Sequence, residues 1–162
     1  RLDYSTSLAH SIIDWSIIMP QVKQAVQIQP YLFFEGRCEE AIDFYRQALD
    51  AKVQILMRRN QNPEPQCPTG GEEHGEKIMH ATLEIGDACV MLSDGMCQSS
   101  ECFRGFSIHL SLADRSKVEQ YFAALAEGGN IVMPLAKTFW SPLFGMVGDR
   151  FGVQWMLSLP EE

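Results

Sequence analysis

The chain has 162 residues, of which 46% are apolar, and this length suits one compact unit with a single buried core better than two independent domains. Its formal net charge of −8 would repel a phosphate backbone over most of the surface, so no nucleic-acid partner is expected. No apolar run approaches the roughly 20 residues that cross a bilayer, so no membrane partner is expected either.

The five cysteines are odd in number and contain no C-x-x-C pair. A chain with a sizeable core does not need disulfides, so free thiols and a cytoplasmic location are expected. Zinc could be suggested by Cys67 with His74, or by Cys97 with Cys102. Neither spacing matches a structural zinc motif, and we expect these residues to be unligated.

Residues 1–26 are expected to form an extension that carries a short amphipathic helix. Leu8, Ile12, Trp15 and Met19 recur at helical spacing, and the helix should end at Pro20. Its apolar stripe should pack on another surface, for which a subunit interface is one location. A helix lying in a membrane surface is the alternative, but its polar face would need Lys or Arg.

The next segment, from residue 27 to 95, predicts one βαβββ module. In chain order it comprises a strand over Ile28–Phe34, a helix over Glu39–Leu49, a strand over Lys52–Arg58, a loop over Asn60–Gly75, and strands over Lys77–Ile85 and Ala88–Ser93. The turn pair Gly86-Asp87 predicts a tight hairpin between the last two strands. The Asn60–Gly75 loop could either close over a pocket or lie in solvent.

Residues 104–159 repeat the same order. They comprise strands over Phe106–Leu112, Asn130–Pro134, Leu143–Val147 and Val153–Leu159, with a helix over Ser116–Ala126 that a Ser116/Glu119 capping box begins. Val90-Met91-Leu92-Ser93 and Trp155-Met156-Leu157-Ser158 also match in letters, as expected of an internal repeat. The predicted fold is therefore α+β: residues 27–159 form a single domain of two βαβββ modules.

Alternation along four strands separates an apolar face from a second, mixed face. The side chains predicted on the mixed face include His80, Thr82, Glu84, Ser107, His109, Gln154, Met156 and Ser158. Such a face could simply be solvated. However, Met91, Cys89 and Phe34 are predicted to share it, and large apolar groups beside hydroxyls and imidazoles are typical of a cleft.

These positions give the candidate site. The expected ligand-binding residues are Phe34, Thr82, Glu84, Met91, Ser107, Trp140, Phe144, Gln154 and Met156, with the aromatic pair Phe139-Trp140 on a rim. His80 and His109 are the candidates for general acid or base catalysis, because imidazole titrates near neutral pH. A neutral histidine satisfied by a neighbouring hydroxyl is the alternative for each. Cys89 lacks an adjacent Lys or Arg, which argues against a nucleophilic thiolate.

Two stretches of sequence carry a family resemblance. The first stretch comprises Pro30-Tyr31-Leu32-Phe33-Phe34 and Cys38-Glu39-Glu40-Ala41-Ile42-Asp43-Phe44-Tyr45. The second comprises Pro134-Leu135 to Phe139-Trp140, followed by Phe144-Gly145-Met146 and Asp149-Arg150-Phe151-Gly152-Val153-Gln154-Trp155-Met156. Together they resemble the PhnB-like branch of the glyoxalase/bleomycin-resistance/dioxygenase (vicinal oxygen chelate) superfamily. The resemblance covers Ile28 to Leu159. It implies paired βαβββ modules that form a U-shaped mixed sheet around a pocket, usually in a homodimer.

The resemblance also implies where a metal would bind. Metal-dependent members carry His, Glu or Gln on the first and last strands of each module, at positions that correspond here to Pro30, Met91, Ser107 and Met156 or their neighbours. These side chains cannot hold a hard divalent ion, so neither a metal nor another cofactor is expected. A rearranged site built from His80, Glu84 and His109 is the alternative.

Three functions remain open from the sequence. The first is binding or transformation of a small organic molecule, and whether the chain is an enzyme is undecided. The second is sequestration of a toxic, cationic compound without turnover, as in bleomycin resistance. The third is the metal-dependent lyase, isomerase or transferase chemistry of the superfamily. Members of this branch are often described as demethylubiquinone methyltransferases, but no Gly-rich loop joins a strand to a helix here to cradle an adenosyl cofactor.

Overall fold

The computed structural model describes residues 28–62, 75–97 and 103–161. The N-terminal extension with its predicted helix, most of the 60–75 loop, and Cys67, His74 and Cys102 lie outside the described residues. The elements in chain order are β1 (Tyr31–Phe33), α1 (Cys38–Ala48), β2 (Lys52–Arg58), a 3₁₀ turn (Arg59–Gln61), β3 (Ile78–Ile85), β4 (Ala88–Ser93), β5 (Ile108–Ser111), α2 (Arg115–Ala126), β6 (Asn130–Ala136), β7 (Leu143–Gly148) and β8 (Gln154–Leu159).

The predicted α+β fold of two βαβββ modules is confirmed. Each module has a four-stranded sheet, in the order β1-β4-β3-β2 in the first and β5-β8-β7-β6 in the second. The first strand of each module is parallel to its neighbour, and the other pairs are antiparallel. Thus the two modules share one topology, and β1, β2, β5 and β6 are the edge strands.

The matched letters of the two halves occupy matching places in the sheets. Tyr31 is the register partner of Met91 in the first sheet, and His109 is the register partner of Met156 in the second. Because Met91 and Met156 are equivalent in the repeat, Tyr31 and His109 are equivalent as well.

Each helix covers one face of its own sheet. The apolar stripe of α1 is buried, and Asp114 caps α2 by accepting a 2.8 Å hydrogen bond from the backbone N–H of Ser116. The predicted start of α2 at Ser116 is therefore wrong by one residue, since Asp114 performs the capping at that end. Burial of the two stripes against the apolar sheet faces supplies the main driving force for this packing.

The cores of the two modules meet between the helices. Phe34 of the first module packs edge-on against Phe151 of the second, with ring centroids 5.6 Å apart. Tyr45 on α1 packs edge-on against Trp155 on β8 at 5.5 Å. One continuous core therefore spans both modules.

Two phenol–carboxylate hydrogen bonds cross between the modules in opposite directions. Tyr45 of α1 donates to Asp149, which precedes β8, at 2.7 Å. Tyr121 of α2 donates to Asp50, which precedes β2, at 3.1 Å, and Lys117 forms an ion pair with the same carboxylate. The first bond is buried and the second lies near the surface, so the first should contribute more to stability.

No helix among the described residues is long and apolar enough to cross a membrane. The cysteines that the structure describes, Cys38, Cys89 and Cys97, are free thiols. Burial raises the pKa of the Cys38 thiol far above its ordinary value, so this side chain acts as a small apolar group.

Candidate functional site

The predicted alternation between an apolar and a mixed sheet face is present in both modules. Along β3, Ala81 and Leu83 are buried, whereas His80, Thr82 and Glu84 are partly exposed. Along β8, Trp155 and Leu157 are buried, and Gln154 and Met156 are partly exposed. The mixed faces thus point away from the helices.

The mixed face of the first sheet carries a short hydrogen-bonded chain. The Tyr31 hydroxyl lies 2.9 Å from Nδ1 of His80, and Nε2 of His80 lies 3.2 Å from Oγ1 of Thr82. Burial is the main reason that the pKa of Tyr31 is raised, so the phenol is protonated at neutral pH and can donate to Nδ1. In neutral His80 the proton then lies on Nε2 and is donated to Thr82, which leaves both ring nitrogens occupied.

Other side chains of this face are also engaged with their neighbours. Glu84 accepts a 2.6 Å hydrogen bond from Gln54 and lies 3.9 Å from the ammonium of Lys52. The rings of Tyr31 and Phe33 stack at 5.0 Å, beside the partly exposed Met91 that pairs with Tyr31 in register. Three of the predicted ligand-binding residues, Thr82, Glu84 and Met91, therefore share one face with His80.

The second sheet presents His109 differently. Its Nε2 lies 2.8 Å from Oγ of Ser158 on the neighbouring strand β8, which fixes the orientation of the ring. Within the part of the chain that the structure describes, Nδ1 of His109 has no hydrogen-bond partner. The ring is exposed, so one nitrogen is anchored and the other can contact a ligand.

The expectation that Phe34 lies on the mixed face is wrong. Its side chain is 0% exposed and packs edge-on or tilted against Tyr45, Phe103 and Phe151 in the shared core. The parity of β1 explains the error: Leu32 and Phe34 face the core, and the alternating positions Tyr31 and Phe33 face outward. Phe34 therefore stabilises the core and is not available to a ligand.

Of the remaining predicted residues, Phe144 and Gln154 lie at opposite ends of the β7–β8 ladder. Phe144 is buried, is the register partner of Ser158, and packs edge-on against Trp140 at 5.7 Å. Trp140 is half-exposed and packs against the exposed ring of Phe139, and neither residue lines the cleft that lies between the two modules. The Gln154 amide donates a 3.3 Å hydrogen bond to the carbonyl of Gly152.

A cleft of about 750 Å³ lies between the two modules. One wall is formed by residues 28–30 and by the tip of the β3–β4 hairpin, and the other by residues 106–110 at β5. Of the predicted site residues it contains Ser107 and His109, and Cys89 lies opposite them. The rest of its lining is mostly apolar, including Ile28, Val90 and Leu110.

The residues at the superfamily's ligand positions do not fit a divalent metal. The first-strand side chains that pair with the two methionines are Tyr31 and His109, rather than Pro30 and Ser107. One imidazole, one phenol that is bonded to His80 and two thioethers form a poor donor set for a hard ion. Among residues 28–62, 75–97 and 103–161, no three His, Cys, Asp or Glu side chains are grouped closely enough to hold a metal.

Sequence reasoning missed Tyr31 and Phe33 as residues of the mixed face, and it missed the contact between Ser158 and His109. Tyr31 and Phe33 were obscured because β1 is only three residues long and entirely apolar or aromatic, so its pattern has no polar alternation. Ser158 was placed on the correct face, but only the register between β5 and β8 brings it to His109.

Comparisons with known proteins agree on one family. The sequence pattern of the family described as 3-demethylubiquinone-9 3-methyltransferase matches residues 26–158. Protein YjdN of Escherichia coli is 31% identical over an alignment of 141 residues, which covers 83% of this chain and 96% of that protein.

Solved structures share the fold. The crystal structure of protein PA1353 from Pseudomonas aeruginosa is 39% identical, covers 85% of this chain and 100% of its own, and superposes with a TM-score of 0.74. A Bacillus cereus protein described as a putative 3-demethylubiquinone-9 3-methyltransferase, PhnB protein, is 26% identical, with coverage of 83% and 99% and a TM-score of 0.67.

Proposed function

The chain belongs to the PhnB-like (3-demethylubiquinone-9 3-methyltransferase-like) family of the vicinal oxygen chelate superfamily, and from this premise we propose that it binds a small organic molecule in the cleft between its two modules. The observation that carries the proposal is His109, which lines the cleft with Nε2 held by Ser158 and Nδ1 free of partners among the described residues. An oriented imidazole in a largely apolar cleft can fix the polar end of a ligand.

His109 is favoured over His80 because of their hydrogen bonds. Both nitrogens of His80 are engaged, by Tyr31 and by Thr82, so a ligand would have to displace one of these partners. His109 can accept or donate a proton at Nδ1 without breaking an existing bond. If the bound molecule is transformed, His109 is therefore the candidate general acid or base.

The cleft also has suitable dimensions and lining. Its volume of about 750 Å³ lies within the range of about 300–1,000 Å³ that is usual for drug-sized ligands. Apolar side chains such as Phe106 and Ile85 would contact the body of the ligand, and Ser107 and His109 would contact its polar groups. We expect a ligand with an apolar body and one ionisable or hydrogen-bonding end.

The two histidines allow a matched test. A fragment library is screened by ligand-observed NMR against the wild type, His109→Gln and His80→Gln. We expect hits that His109→Gln weakens about tenfold, corresponding to about 1.4 kcal/mol, whereas His80→Gln leaves them within a factor of about two. Hits that respond equally to both variants, or that respond only to His80→Gln, would refute the cleft as the site.

Sequestration remains a second proposal, supported by the acidic net charge of −8, which attracts cationic compounds. Incubation of each hit with the protein, followed by mass spectrometry, separates the two cases. Formation of product that is lost in His109→Gln indicates catalysis, whereas quantitative recovery of the unchanged compound indicates sequestration. Metal-dependent chemistry is not proposed, because the donor set described above does not fit a divalent ion.

Methyl transfer is not proposed either, although the family description names it. The connections from β1 to α1 and from β5 to α2 are Phe34-Glu35-Gly36-Arg37 and Leu112-Ala113-Asp114, and neither resembles a phosphate- or nucleoside-binding Gly-rich loop. Each sheet has four strands with antiparallel pairs, which differs from the parallel nucleotide-binding sheet of the doubly wound fold.

A homodimer is proposed for the assembled protein. All residues of edge strand β2 before Arg58 are exposed, and its apolar members Val53, Ile55, Leu56 and Met57 are 37–47% exposed. An uncovered apolar edge strand is an aggregation hazard unless another chain covers it. Light scattering of the wild type, Ile55→Asp and the helix-surface control Gln47→Asp tests this proposal. We expect the wild type and Gln47→Asp to be dimers and Ile55→Asp to be monomeric. A monomeric wild type would refute the proposal.

A further inference from the structure

The cleft surrounds the free edge of strand β5. Its lining includes Ser107 and His109, which belong to the mixed face, and also Ile108 and Leu110, which belong to the apolar face. Side chains from both faces of one strand can line a single cavity only if the cavity runs along the edge of that strand. Leu110 is half-buried, whereas the equivalent Leu32 of β1 is fully buried, so the core is accessible along this edge.

The backbone of β5 has hydrogen-bonding groups that face the cleft. The N–H of Leu112 donates to the carbonyl of Ser158 at 3.0 Å, which fixes the parity of the parallel ladder. The backbone N–H and C=O groups of Ile108 and Leu110 therefore bond to β8, whereas those of His109 point to the opposite side. Among the described residues, no strand pairs with that side of β5.

Among the described residues, the opposite wall has no strand that pairs with these groups. It is formed by residues 28–30, which precede β1, and the Pro30 carbonyl already accepts a 2.9 Å hydrogen bond from Met91. The turn side of the wall contributes the apolar side chains Ile85, Ala88 and Val90, together with Asp87 and Cys89. Hence the cleft has a backbone donor and acceptor on one side and a mostly apolar surface with one carboxylate on the other.

We propose that the ligand of this cleft is an extended, amide-bearing chain, a short peptide or a peptide-like compound, which lies along β5 as an added strand and pairs with the backbone of His109. This proposal rests on the proposed cleft function and specifies its ligand class. Strand addition uses main-chain hydrogen bonds for affinity and alternate side-chain pockets for selectivity. Successive ligand side chains would then contact the Leu110 side and the His109 side of the strand.

The test uses a defined probe, acetyl-Val-Thr-Val-Thr-amide, and two analogues that are N-methylated on alternate residues. N-methylation removes amide donors, and only one of the two alternating sets can face β5. By titration NMR we expect one analogue to bind at least tenfold more weakly than the parent and the other to bind within about threefold. Equal affinity of both analogues, or no binding of the parent peptide, would overturn the proposal.

Hydrogen exchange supplies an internal control. The His109 amide is expected to exchange rapidly in the free protein and at least tenfold more slowly with the peptide, because it gains a partner. The Leu110 amide, which already bonds to β8, should change little. If both amides respond alike, the peptide is not paired with the edge, and the proposal fails.

Two variants at one position separate this proposal from the proposed function. His109→Pro removes the outward N–H and leaves the ladder to β8 intact, since an edge strand tolerates proline where its N–H points away from the sheet. His109→Gln removes only the imidazole. We expect the peptide to bind at least tenfold more weakly to His109→Pro and about threefold more weakly to His109→Gln. Fragment hits lost in His109→Gln without any peptide binding would leave the small-molecule function standing and refute strand addition.

Discussion

The phenol of Tyr45 in the first module donates a 2.7 Å hydrogen bond to the carboxylate of Asp149 in the second module. Asp149 is almost fully buried and also accepts hydrogen bonds from the indole of Trp155 and from the backbone N–H groups of Phe151 and Val153. One side chain from the first module therefore completes the hydrogen bonding of a buried acid in the second. The position of the modules, and with it the width of the cleft, depends on such contacts.

Replacing Tyr45 by Phe should lower the free energy of unfolding by about 1.5–3 kcal/mol, the usual contribution of a hydrogen bond to a charged group. The ring packing against Trp155 is retained, so the loss reports the hydroxyl. Urea unfolding measures the change. Tyr121→Phe is the matched control, and its smaller expected effect follows from the exposure of Asp50. An equal loss in both variants would contradict this account.

The free energy of unfolding that is lost in Tyr45→Phe should depend on pH, because the hydrogen-bond acceptor Asp149 can be protonated. Burial is the main reason that the pKa of Asp149 is raised above 3.8, and bonds from Trp155 and Tyr45 partly counteract it. Because its folded pKa is raised, Asp149 by itself makes the protein more stable as the pH falls through that pKa towards 3.8. Removing the Tyr45 hydroxyl costs most while the carboxylate is ionised.

The deficit of Tyr45→Phe should therefore be largest near neutral pH and should shrink as the pH falls through the pKa of Asp149. Urea unfolding of both proteins in a pH series down to about pH 4 measures it. A deficit that stays constant over the series, or that grows on acidification, would show that the hydroxyl does not act through the ionised carboxylate.

The tautomer of His80 gives a spectroscopic prediction. The protonated Tyr31 phenol donates to Nδ1, so the neutral ring should carry its proton on Nε2. Nitrogen-15 NMR of the imidazole distinguishes the two tautomers directly. Tyr31→Phe removes the donor and should increase the share of the Nδ1–H form, whereas Phe33→Leu, on the same face, should not. A predominant Nδ1–H tautomer in the wild type would contradict the assigned hydrogen bond.

Gly145 in β7 lies directly beneath helix α2. A Cβ added there would lie 2.8 Å from a ring carbon of Phe122 and 2.9 Å from a methyl carbon of Leu135. Gly145→Ala should therefore destabilise the protein by about 1–3 kcal/mol through overpacking. The double variant Gly145→Ala/Phe122→Leu should recover part of the loss, and additive losses in chemical denaturation would count against the clash.

Gly86 serves as the control for Gly145. No atom lies within 4 Å of a Cβ added to Gly86, which has a φ of 60° in the β3–β4 turn. Gly86→Ala should therefore cost only the backbone strain of about 1 kcal/mol. Gly145 does not have a positive φ, so a loss in Gly145→Ala cannot come from the strain seen in Gly86→Ala and reports the crowding under α2.

The order of elements could be predicted from the sequence because hydrophobic period and turn chemistry are local properties. The hairpin at Gly86-Asp87 and the strand over Ala88–Ser93 are examples. The parity of β1 could not be read in the same way, because both of its faces carry large apolar or aromatic side chains. Phe34 was consequently assigned to the wrong face.

The site could be predicted only in its parts. His109 and Ser158 were both placed on the mixed face, but their contact at 2.8 Å depends on the register between two strands separated by about fifty residues of chain. The role of Asp149 was invisible for a similar reason. A buried acid looks like a loop residue in sequence, and only the packing of both modules brings Tyr45 and Trp155 to it.

The two crossing phenol–carboxylate bonds make the halves of the chain non-interchangeable. The first helix carries its aromatic pair as Phe44-Tyr45 and the second as Tyr121-Phe122, so each hydroxyl occupies a different helical position and finds an acid in a different kind of loop. A protein assembled from two copies of either half would bury a hydroxyl or a carboxylate without this hydrogen-bond partner. Complementary differences of this kind favour the packing of the first helix against the second half over the same packing between two like halves.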